Sequence, residues 1–171
     1  MEFAKWCVAT EESVQTHKLR GLGIATGGQA HAIGAIAKAV PGYYTDPKRV
    51  ADLLRKLGKP AAAAHVEQKL PTQASIRSGD LGEILCNAYV YEATPFNLGI
   101  KRLRWKDHRN MSMRGEDVLA FNFDSKSGSL KILKAEVKSR AGMRTAVIDE
   151  ARAALCANSG LPSPHALAFV A

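Results

Sequence analysis

Three charged side chains stand in or beside apolar runs near the middle of the sequence. Residues 129–139 read SLKILKAEVKS, so Glu136 and Lys138 lie among aliphatic residues. Asp117 opens the preceding apolar run, VLAFNF, and the turn sequence DSKSG joins the two runs into a predicted hairpin. An unpaired charge is expensive to bury. These three positions are therefore the first candidates for chemistry.

A hairpin would bring these charges together at one place. Side chains alternate across a strand, so Glu136 and Lys138 face the same way, about 7 Å apart. Pairing of the strands would set Asp117 beside Glu136. Two carboxylates with the Val137 carbonyl between them form a hard oxygen site of the kind that suits Mg²⁺ or Mn²⁺. Lys138 could then hold or deprotonate an attacking water, or offset charge on a phosphate under attack.

The triplet acid-x-Lys has little meaning by itself, because about one is expected by chance and the chain contains four. Three of them open a helix, close a helix or lie in a turn. Only Glu136–Lys138 falls in an apolar strand, and this position is what favours a functional role. The alternative is an edge strand whose charges face solvent.

A third acid, Glu83, lies on a predicted helix over residues 78–92. Leu81, Ile84, Leu85 and Ala88 form the apolar face of this helix. Asp80, Glu83 and Asn87 share its other side. Periodicity alone does not say whether that side is solvated or faces a polar cleft.

Residues 101–114, KRLRWKDHRNMSMR, hold six of the 24 basic residues and one acid. Basic side chains contact phosphates, and the Trp105 indole offers a surface on which a base can stack. The alternative is a solvated loop with Trp105 in the core. The predicted nucleic-acid contacts are Arg104, Lys106, Arg109 and Arg114, with Arg140 just after the second strand.

Composition narrows the class of protein. The chain has 171 residues and a net charge of +8, which favours a polyanionic partner. Cys7, Cys86 and Cys156 form no CxxC, so a disulfide framework and a zinc site are not expected. The first 30 residues do not resemble a signal peptide, and no apolar run approaches 18 residues. We expect a cytoplasmic protein with no membrane partner.

The remaining patterns predict an α/β fold. Asp46 and Pro47 start a helix that Gly58 ends, and a short helix over residues 60–69 follows. GLGIATGG, residues 21–28, is interpreted as a flexible turn. From residue 78 onward the predicted order is α-β-β-β-α-β. Its last three elements are expected to form a right-handed crossover with a parallel strand pair. The predicted strands cover residues 98–105, 117–123, 129–139 and 165–171, and the predicted last helix covers residues 144–158.

This arrangement resembles the PD-(D/E)xK nuclease superfamily. RSGDLGEILCNAYV, RWKDHRNMSMRGEDVLAF and KAEVKSR resemble more closely the HamA family of nuclease subunits from Hachiman anti-phage defence systems. The resemblance covers the chain from about Lys59 onward. It departs from the superfamily at Glu116, where a proline usually precedes the aspartate.

The resemblance implies a restriction-endonuclease-like αβββαβ core with a mixed sheet, preceded by an N-terminal helical part. It implies a metal-dependent DNA nuclease that uses Mg²⁺ or Mn²⁺ and works with a partner helicase. Carried over by position, Asp117 and Glu136 bind the metal together with the Val137 carbonyl. Lys138 is then the catalytic lysine, and Glu83 is the acid of the first helix.

Two further expectations concern organisation and activity. We expect a mainly helical part over residues 1–76 and a nuclease core over residues 77–171. HALAFVA, residues 165–171, has no polar exit, so the core is expected to be shortened or completed by a partner. The alternatives for function are a module that binds nucleic acid or a partner without cutting, and a nuclease that cleaves RNA.

Overall fold

The computed structural model describes residues 1–98, 100–142 and 144–167. The fold is mixed α/β, with two small antiparallel sheets. The chain forms two compact units, which divide between Pro41 and Gly42. The predicted boundary between residues 76 and 77 lies inside the second unit.

The first unit contains a β-hairpin, which the expectation of a mainly helical part over residues 1–76 did not include. Strand β1, Cys7–Val14, pairs antiparallel with β2, His17–Ile24, and helix α1, Gln29–Ala39, follows. Residues 21–24, interpreted as part of a flexible turn, belong to β2. Nearly every residue of both strands is exposed. The hairpin therefore lacks the apolar alternation from which a strand is recognised.

Three helices follow α1, the first of which begins at Pro41, the last residue of the first unit. They are α2, Pro41–Tyr44, α3, Pro47–Lys69, and α4, Ala74–Ala93. The Asp46 carboxylate caps α3 by accepting a hydrogen bond from the Lys48 amide at 2.7 Å, as the sequence predicts. A break at Gly58, with φ 79° and ψ 176°, separates the two predicted halves of α3. Only glycine adopts this conformation at little cost.

A three-stranded antiparallel sheet with the order β3-β4-β5 forms the centre of the second unit. Its strands are β3, Asn97–Leu98, β4, Val118–Asp124, and β5, Ser129–Ala135. The predicted hairpin is confirmed, with Val118 opposite Ala135 and Asp124 opposite Ser129. The first half of β4 is buried, because Val118, Leu119 and Ala120 pack into the core.

The prediction of a long first strand over residues 98–105 is wrong. A 3-10 helix, Arg102–Trp105, occupies the second half of that stretch, between β3 and β4. Strand β5 also ends earlier than predicted, so residues 136–139 lie just beyond its end. In each stretch a side chain makes polar contacts that strand periodicity does not show: Arg102 with Glu83 in the first, and Asp117 with the Val137 amide in the second.

Helix α5, Thr145–Cys156, confirms the predicted last helix. A short helix α6, Pro164–Leu167, replaces the start of the predicted final strand. The rest of that strand, residues 168–171, lies outside the described residues. The described sheet is antiparallel throughout, so it does not include the parallel pair that the sequence predicts. Within the described ranges, no helix is both long and apolar enough to cross a membrane.

Candidate active site

The register of the hairpin places Asp117 beside the residues after β5. Because Val118 pairs with Ala135, the next position outward sets Asp117 opposite Glu136. Asp117 Oδ2 accepts a hydrogen bond from the Val137 amide at 2.7 Å. A side chain thus replaces the backbone partner that a longer strand would supply. The result is a carboxylate held against the Glu136–Val137 peptide.

Helix α4 packs tightly against the segment after β5, and Gly82 makes this approach possible. A Cβ atom at Gly82 would lie 2.9 Å from Val137 Cγ1 and 3.4 Å from Ser139 Cβ. One turn earlier, the Ser78 and Ser139 hydroxyls are 2.8 Å apart and share a hydrogen bond. The helix that carries Glu83 is therefore fixed beside the end of the hairpin.

The polar side of α4 faces the protein interior. Asp80, Glu83 and Asn87 are all buried, so this side is not a solvated helix face. Buried carboxylates require a nearby cation. Each of the two acids on this side meets a different basic residue from the stretch before β4.

Arg102 joins Glu83 to Asp117. Its Nη2 atom donates to Glu83 Oε2 at 2.8 Å and to Asp117 Oδ1 at 2.5 Å. Its Nη1 atom donates to the carbonyls of Arg114 and Gly115, each at 3.2 Å. The guanidinium is buried. One arginine therefore partly neutralises two carboxylates and ties them to the loop before β4.

This shared cation does not fully compensate Glu83. Burial raises the pKa of Glu83 to about 7, although the hydrogen bond and charge of Arg102 act in the opposite direction. The nearby carboxylates of Asp117 and Asp80 raise this pKa further. Glu83 is thus a carboxyl group that would ionise more readily if another cation approached.

Glu136 and Lys138 form a second ion pair at the mouth of the site. Lys138 Nζ lies 2.8 Å from Glu136 Oε1, and both side chains are partly exposed. The hydrogen bond that Lys138 donates to Glu136 raises the pKa of Lys138, against the effect of burial, and the charges of Glu136 and Asp117 add to the increase. Lys138 therefore stands as an ammonium ion, suited to holding a water or an anionic oxygen.

The residues fit a divalent cation in their chemistry. When Glu83 is ionised, three carboxylates, Glu83, Asp117 and Glu136, face two cations, Arg102 and Lys138, which leaves one negative charge in excess. Carboxylate oxygens are the ligands that Mg²⁺ and Mn²⁺ prefer. The described residues contain no cluster of three or more His, Cys, Asp or Glu side chains arranged to hold a metal ion. A site here would therefore need a backbone oxygen, and the Val137 carbonyl is the nearest candidate in sequence.

Space beside Asp117 is limited. A cavity of about 10 Å³ lies between Asp117, Arg102 and Leu119, with Ile100 and Arg114 also in its wall. This volume holds about one water molecule. A phosphodiester would have to approach from the Glu136–Lys138 side, or the loop that carries Arg102 would have to move.

The predicted nucleic-acid contacts lie in different environments. Lys106 is buried, with Nζ 2.8 and 2.6 Å from the two oxygens of Asp80, and the Tyr44 hydroxyl donates to Asp80 Oδ2 at 2.6 Å. The Lys106 side chain is therefore held inside the protein, away from any bound strand. Arg114 is exposed. Arg140, also exposed, has Nη2 3.7 Å from Glu150 Oε2.

The other two predicted contacts are half-buried. Arg104 donates through Nη2 to the Gly42 carbonyl at 2.8 Å and Arg109 lies in the loop beyond it. Trp105 is 63% exposed, which excludes the alternative that it is a core residue.

Arg102 is the site residue that sequence reasoning missed. It is one of six basic residues in residues 101–114, and no local pattern separates it from the others. The signal that could have indicated such a residue is the i, i+3 spacing of Asp80 and Glu83, which puts both acids on one side of α4. If that side is buried, each acid needs a nearby cation. Glu116, at the superfamily's proline position, is also buried. It accepts hydrogen bonds from the amide and hydroxyl of Ser163 at 2.8 and 2.9 Å and so anchors the segment before α6.

Comparisons with known proteins identify the family. The chain is 26% identical to the Hachiman protein HamA of Bacillus cereus over 176 residues, which cover 99% of this chain and 62% of that protein. The chain thus spans less than two thirds of the length of this curated relative. The family model described as HamA matches residues 1–171, the whole of the chain. This chain belongs to the HamA family.

Proposed function

We propose that the chain is a metal-dependent nuclease that hydrolyses DNA phosphodiester bonds. The observation that carries the proposal is the contact between Asp117 Oδ2 and the Val137 amide, which sets Asp117 beside Glu136. Lys138 and the buried Glu83 complete a set of three acids and one lysine around the end of one hairpin. The succession α4-β3-β4-β5-α5 supports a core of the restriction-endonuclease-like type.

Asp117, Glu136 and the Val137 carbonyl would hold Mg²⁺ or Mn²⁺. The bound ion would supply Lewis-acid stabilisation of the phosphate and a more acidic water. Lys138, as an ammonium ion, would orient the attacking water or offset charge on the phosphate oxygens. Glu83 acts through Arg102 and is a positioning residue, since Arg102 separates its carboxylate from Asp117.

The biological role is proposed from the family. The relative is named a Hachiman protein, and membership of the HamA family supports a role in anti-phage defence together with a helicase subunit of the same system. The net charge of +8 supports a nucleic acid as substrate. Cleavage of DNA rather than RNA is part of the proposal.

A binding module that does not cut is the second candidate. The narrow space beside Asp117 and the Arg102 guanidinium between two carboxylates favour it, because both stand where a substrate and a metal would compete for room. If the nuclease hypothesis is right, this closed arrangement describes a resting state that the partner opens.

The test is cleavage by purified protein, alone and with the helicase. Plasmid DNA and an RNA of similar length are incubated with Mg²⁺, with Mn²⁺ and with EDTA. We expect metal-dependent cleavage of DNA, and a loss of at least roughly a hundredfold in Asp117→Asn, Glu136→Gln and Lys138→Met. Lys131→Met, at an exposed position on β5, is the matched control for Lys138→Met.

Wild-type rates in any of the three site variants would refute the assigned roles. Cleavage of RNA alone would replace the proposed substrate. Tight binding of DNA without cleavage, in the presence of the helicase and either metal, would favour the binding module.

A further inference from the structure

A second cleft, larger than the space beside Asp117, is lined by residues on either side of Arg102 in the same loop. Its volume is about 590 Å³, which is within the range of small-molecule sites. The cleft is walled by α3 and by the stretch around the 3-10 helix Arg102–Trp105. The side chains in its wall that could contact a ligand include Arg49, His65, Lys69, Lys101, Arg104 and Trp105.

The cleft carries a strong excess of positive charge. Four of its side chains are Lys or Arg, and Asp46 is the acid in its wall. Asp46 already caps α3 through the Lys48 amide and lies 3.8 Å from Arg104 Nη1. Its carboxylate therefore offsets one of the four cations, and an excess of three positive charges remains in the wall. Such a surface attracts phosphate groups.

Lys101 shows that Asp46 does not compensate every cation of the cleft. Burial lowers the pKa of Lys101, and repulsion from Arg104 lowers it further. Its ammonium lies 4.5 Å from the centre of the Tyr43 ring, a cation–π contact. A bound anion would relieve the repulsion between Lys101 and Arg104.

Trp105 adds a flat apolar surface to this basic cleft. Its indole lines the cleft and is 63% exposed, so packing within the protein buries little of this large aromatic ring. Basic side chains around an exposed aromatic ring are typical of sites that bind single strands, where the phosphates meet cations and a base stacks on the ring. In a duplex both faces of each base are already stacked.

The cleft is close to the candidate active site along the chain. Ile100 lines both the cleft and the small cavity beside Asp117. Arg102 reaches the carboxylates, whereas Lys101, Arg104 and Trp105 line the cleft. A strand held in the cleft would therefore lie against the same loop whose Arg102 contacts Asp117.

We infer that this cleft binds an unpaired nucleotide of a single strand, with its base stacked on Trp105 and its phosphates beside Arg49, Lys69 and Arg104. The inference rests on the proposed function for its biological meaning, but not for its test. It predicts that the substrate has a single-stranded region next to the bond that is cut. DNA and RNA strands offer the same chemistry to the cleft and are separated by experiment.

Binding is measured with the full chain in EDTA, where cleavage does not interfere. The probes are labelled eight-nucleotide strands of DNA and RNA with the same sequence, a duplex of that sequence, and an abasic DNA strand of equal charge. We expect the DNA or RNA strand to bind roughly tenfold more tightly than the abasic strand, since base stacking on an aromatic ring is worth about this factor or more. Whichever of the DNA and RNA strands binds more tightly shows whether the cleft prefers deoxyribose or ribose.

Trp105 can report binding directly. The chain has two tryptophans, so Trp6→Phe leaves Trp105 as the only indole. Its fluorescence should be quenched by the strand with bases and not by the abasic strand. Trp105→Ala should reduce affinity for the strand with bases to that of the abasic strand, a loss of roughly tenfold. Because Trp105 is exposed, this variant is expected to fold.

Two double charge-reversal variants distinguish binding in the cleft from general electrostatic attraction. Arg49→Glu/Lys69→Glu should weaken binding of every strand by more than tenfold and flatten its dependence on salt. Lys126→Glu/Lys131→Glu makes the same change in net charge at exposed positions in and after the β4–β5 turn. It should have a clearly smaller effect.

Equal affinity for the abasic strand, or an unchanged affinity in Trp105→Ala, would overturn the inference. Competition by polyglutamate as effective as that by the strand would also overturn it and point to an acidic protein segment instead. The outcomes remain separable from those of the proposed function. Trp105-dependent binding without cleavage in any condition leaves the cleft standing and removes the nuclease. Metal-dependent cleavage with no effect of Trp105→Ala on binding would support the nuclease and overturn the inference about the cleft.

Discussion

Two acids one turn apart on α4 meet their cations in different ways. Asp80 has one cation to itself, because Lys106 donates to both of its oxygens and Tyr44 adds a third hydrogen bond. Glu83 shares the Arg102 guanidinium with Asp117. Both clusters are buried and both draw their cation from the same basic stretch. Only the first is balanced in charge.

This difference separates a structural ion pair from a candidate site. A buried pair with one charge of each sign and complete hydrogen bonding has no reason to bind another ion. A cluster with excess negative charge and a carboxyl pKa raised to about 7, as at Glu83, is destabilised until a further cation arrives. Charge balance is therefore more informative here than the presence of acids.

The largest effect is expected at the balanced pair. Lys106→Met leaves Asp80 as a buried, uncompensated carboxylate, so the free energy of unfolding should fall by about 4 kcal/mol. Urea denaturation measures the change, and Mg²⁺ should not restore it. Lys131→Met is the matched exposed control, with an expected change within about 0.5 kcal/mol. A loss under about 1 kcal/mol would mean that Asp80 is compensated without Lys106.

Removal of the shared cation should have a slightly smaller effect that depends on pH and metal. Arg102→Met should lower the free energy of unfolding by about 3 kcal/mol at pH 8, because two carboxylates lose their partner. At pH 5 the loss should be smaller, since Glu83 is then protonated. Millimolar Mg²⁺ or Mn²⁺ should restore part of the stability at pH 8, which thermal unfolding would detect. A loss independent of both pH and metal would remove the contrast with Lys106.

Glu83 should make stability depend on pH in the absence of metal. Its pKa is raised in the folded state from the usual 4.5 to about 7. Its protonated form therefore stabilises the fold fully below pH 4.5, and this contribution is lost as pH rises toward 7. Between pH 4.5 and 8 the wild type should lose about 3 kcal/mol relative to Glu83→Gln. Glu67→Gln on α3 controls for the loss of one surface charge, and parallel pH profiles of wild type and Glu83→Gln would contradict the prediction.

The smallest expected effect tests the packing that joins α4 to the site. Gly82→Ala puts a methyl group 2.9 Å from Val137 Cγ1, so stability should fall by about 1 kcal/mol and affinity for Mn²⁺ should decrease. Gly79→Ala on the same helix meets nothing within 4 Å and should be neutral or stabilising. Calorimetric titration with Mn²⁺ compares the two variants. Equal affinities would show that the contact of Gly82 with Val137 does not position the site.

Elements with strong local signals were predicted well. The Asp46 cap, helix α5 and the β4–β5 hairpin each depend on residues within a few positions of one another. The β1–β2 hairpin was missed because its strands are exposed on both faces and its turn contains Gln15, with φ 54°, in place of glycine or asparagine. Glu11 and Arg20, opposite each other across that hairpin with Nε and Oε1 3.4 Å apart, are a pair that only the register reveals.

The residues of the candidate site also fall into two groups, those that local sequence predicts and those that it does not. Asp117, Glu136 and Lys138 follow from the sequence, because the DSKSG turn sets the hairpin register and the register sets Asp117 opposite Glu136. The burial of Glu83 and the choice of Arg102 as its partner do not follow, since α4 and the 3-10 helix meet only in the folded chain. Helical periodicity shows which side chains share a face, but the packing of distant segments decides whether that face meets water or a buried charge. The carboxylates and the lysine of the candidate site are thus recognisable from local sequence, whereas their balance of charge depends on how α4 and the 3-10 helix pack against each other.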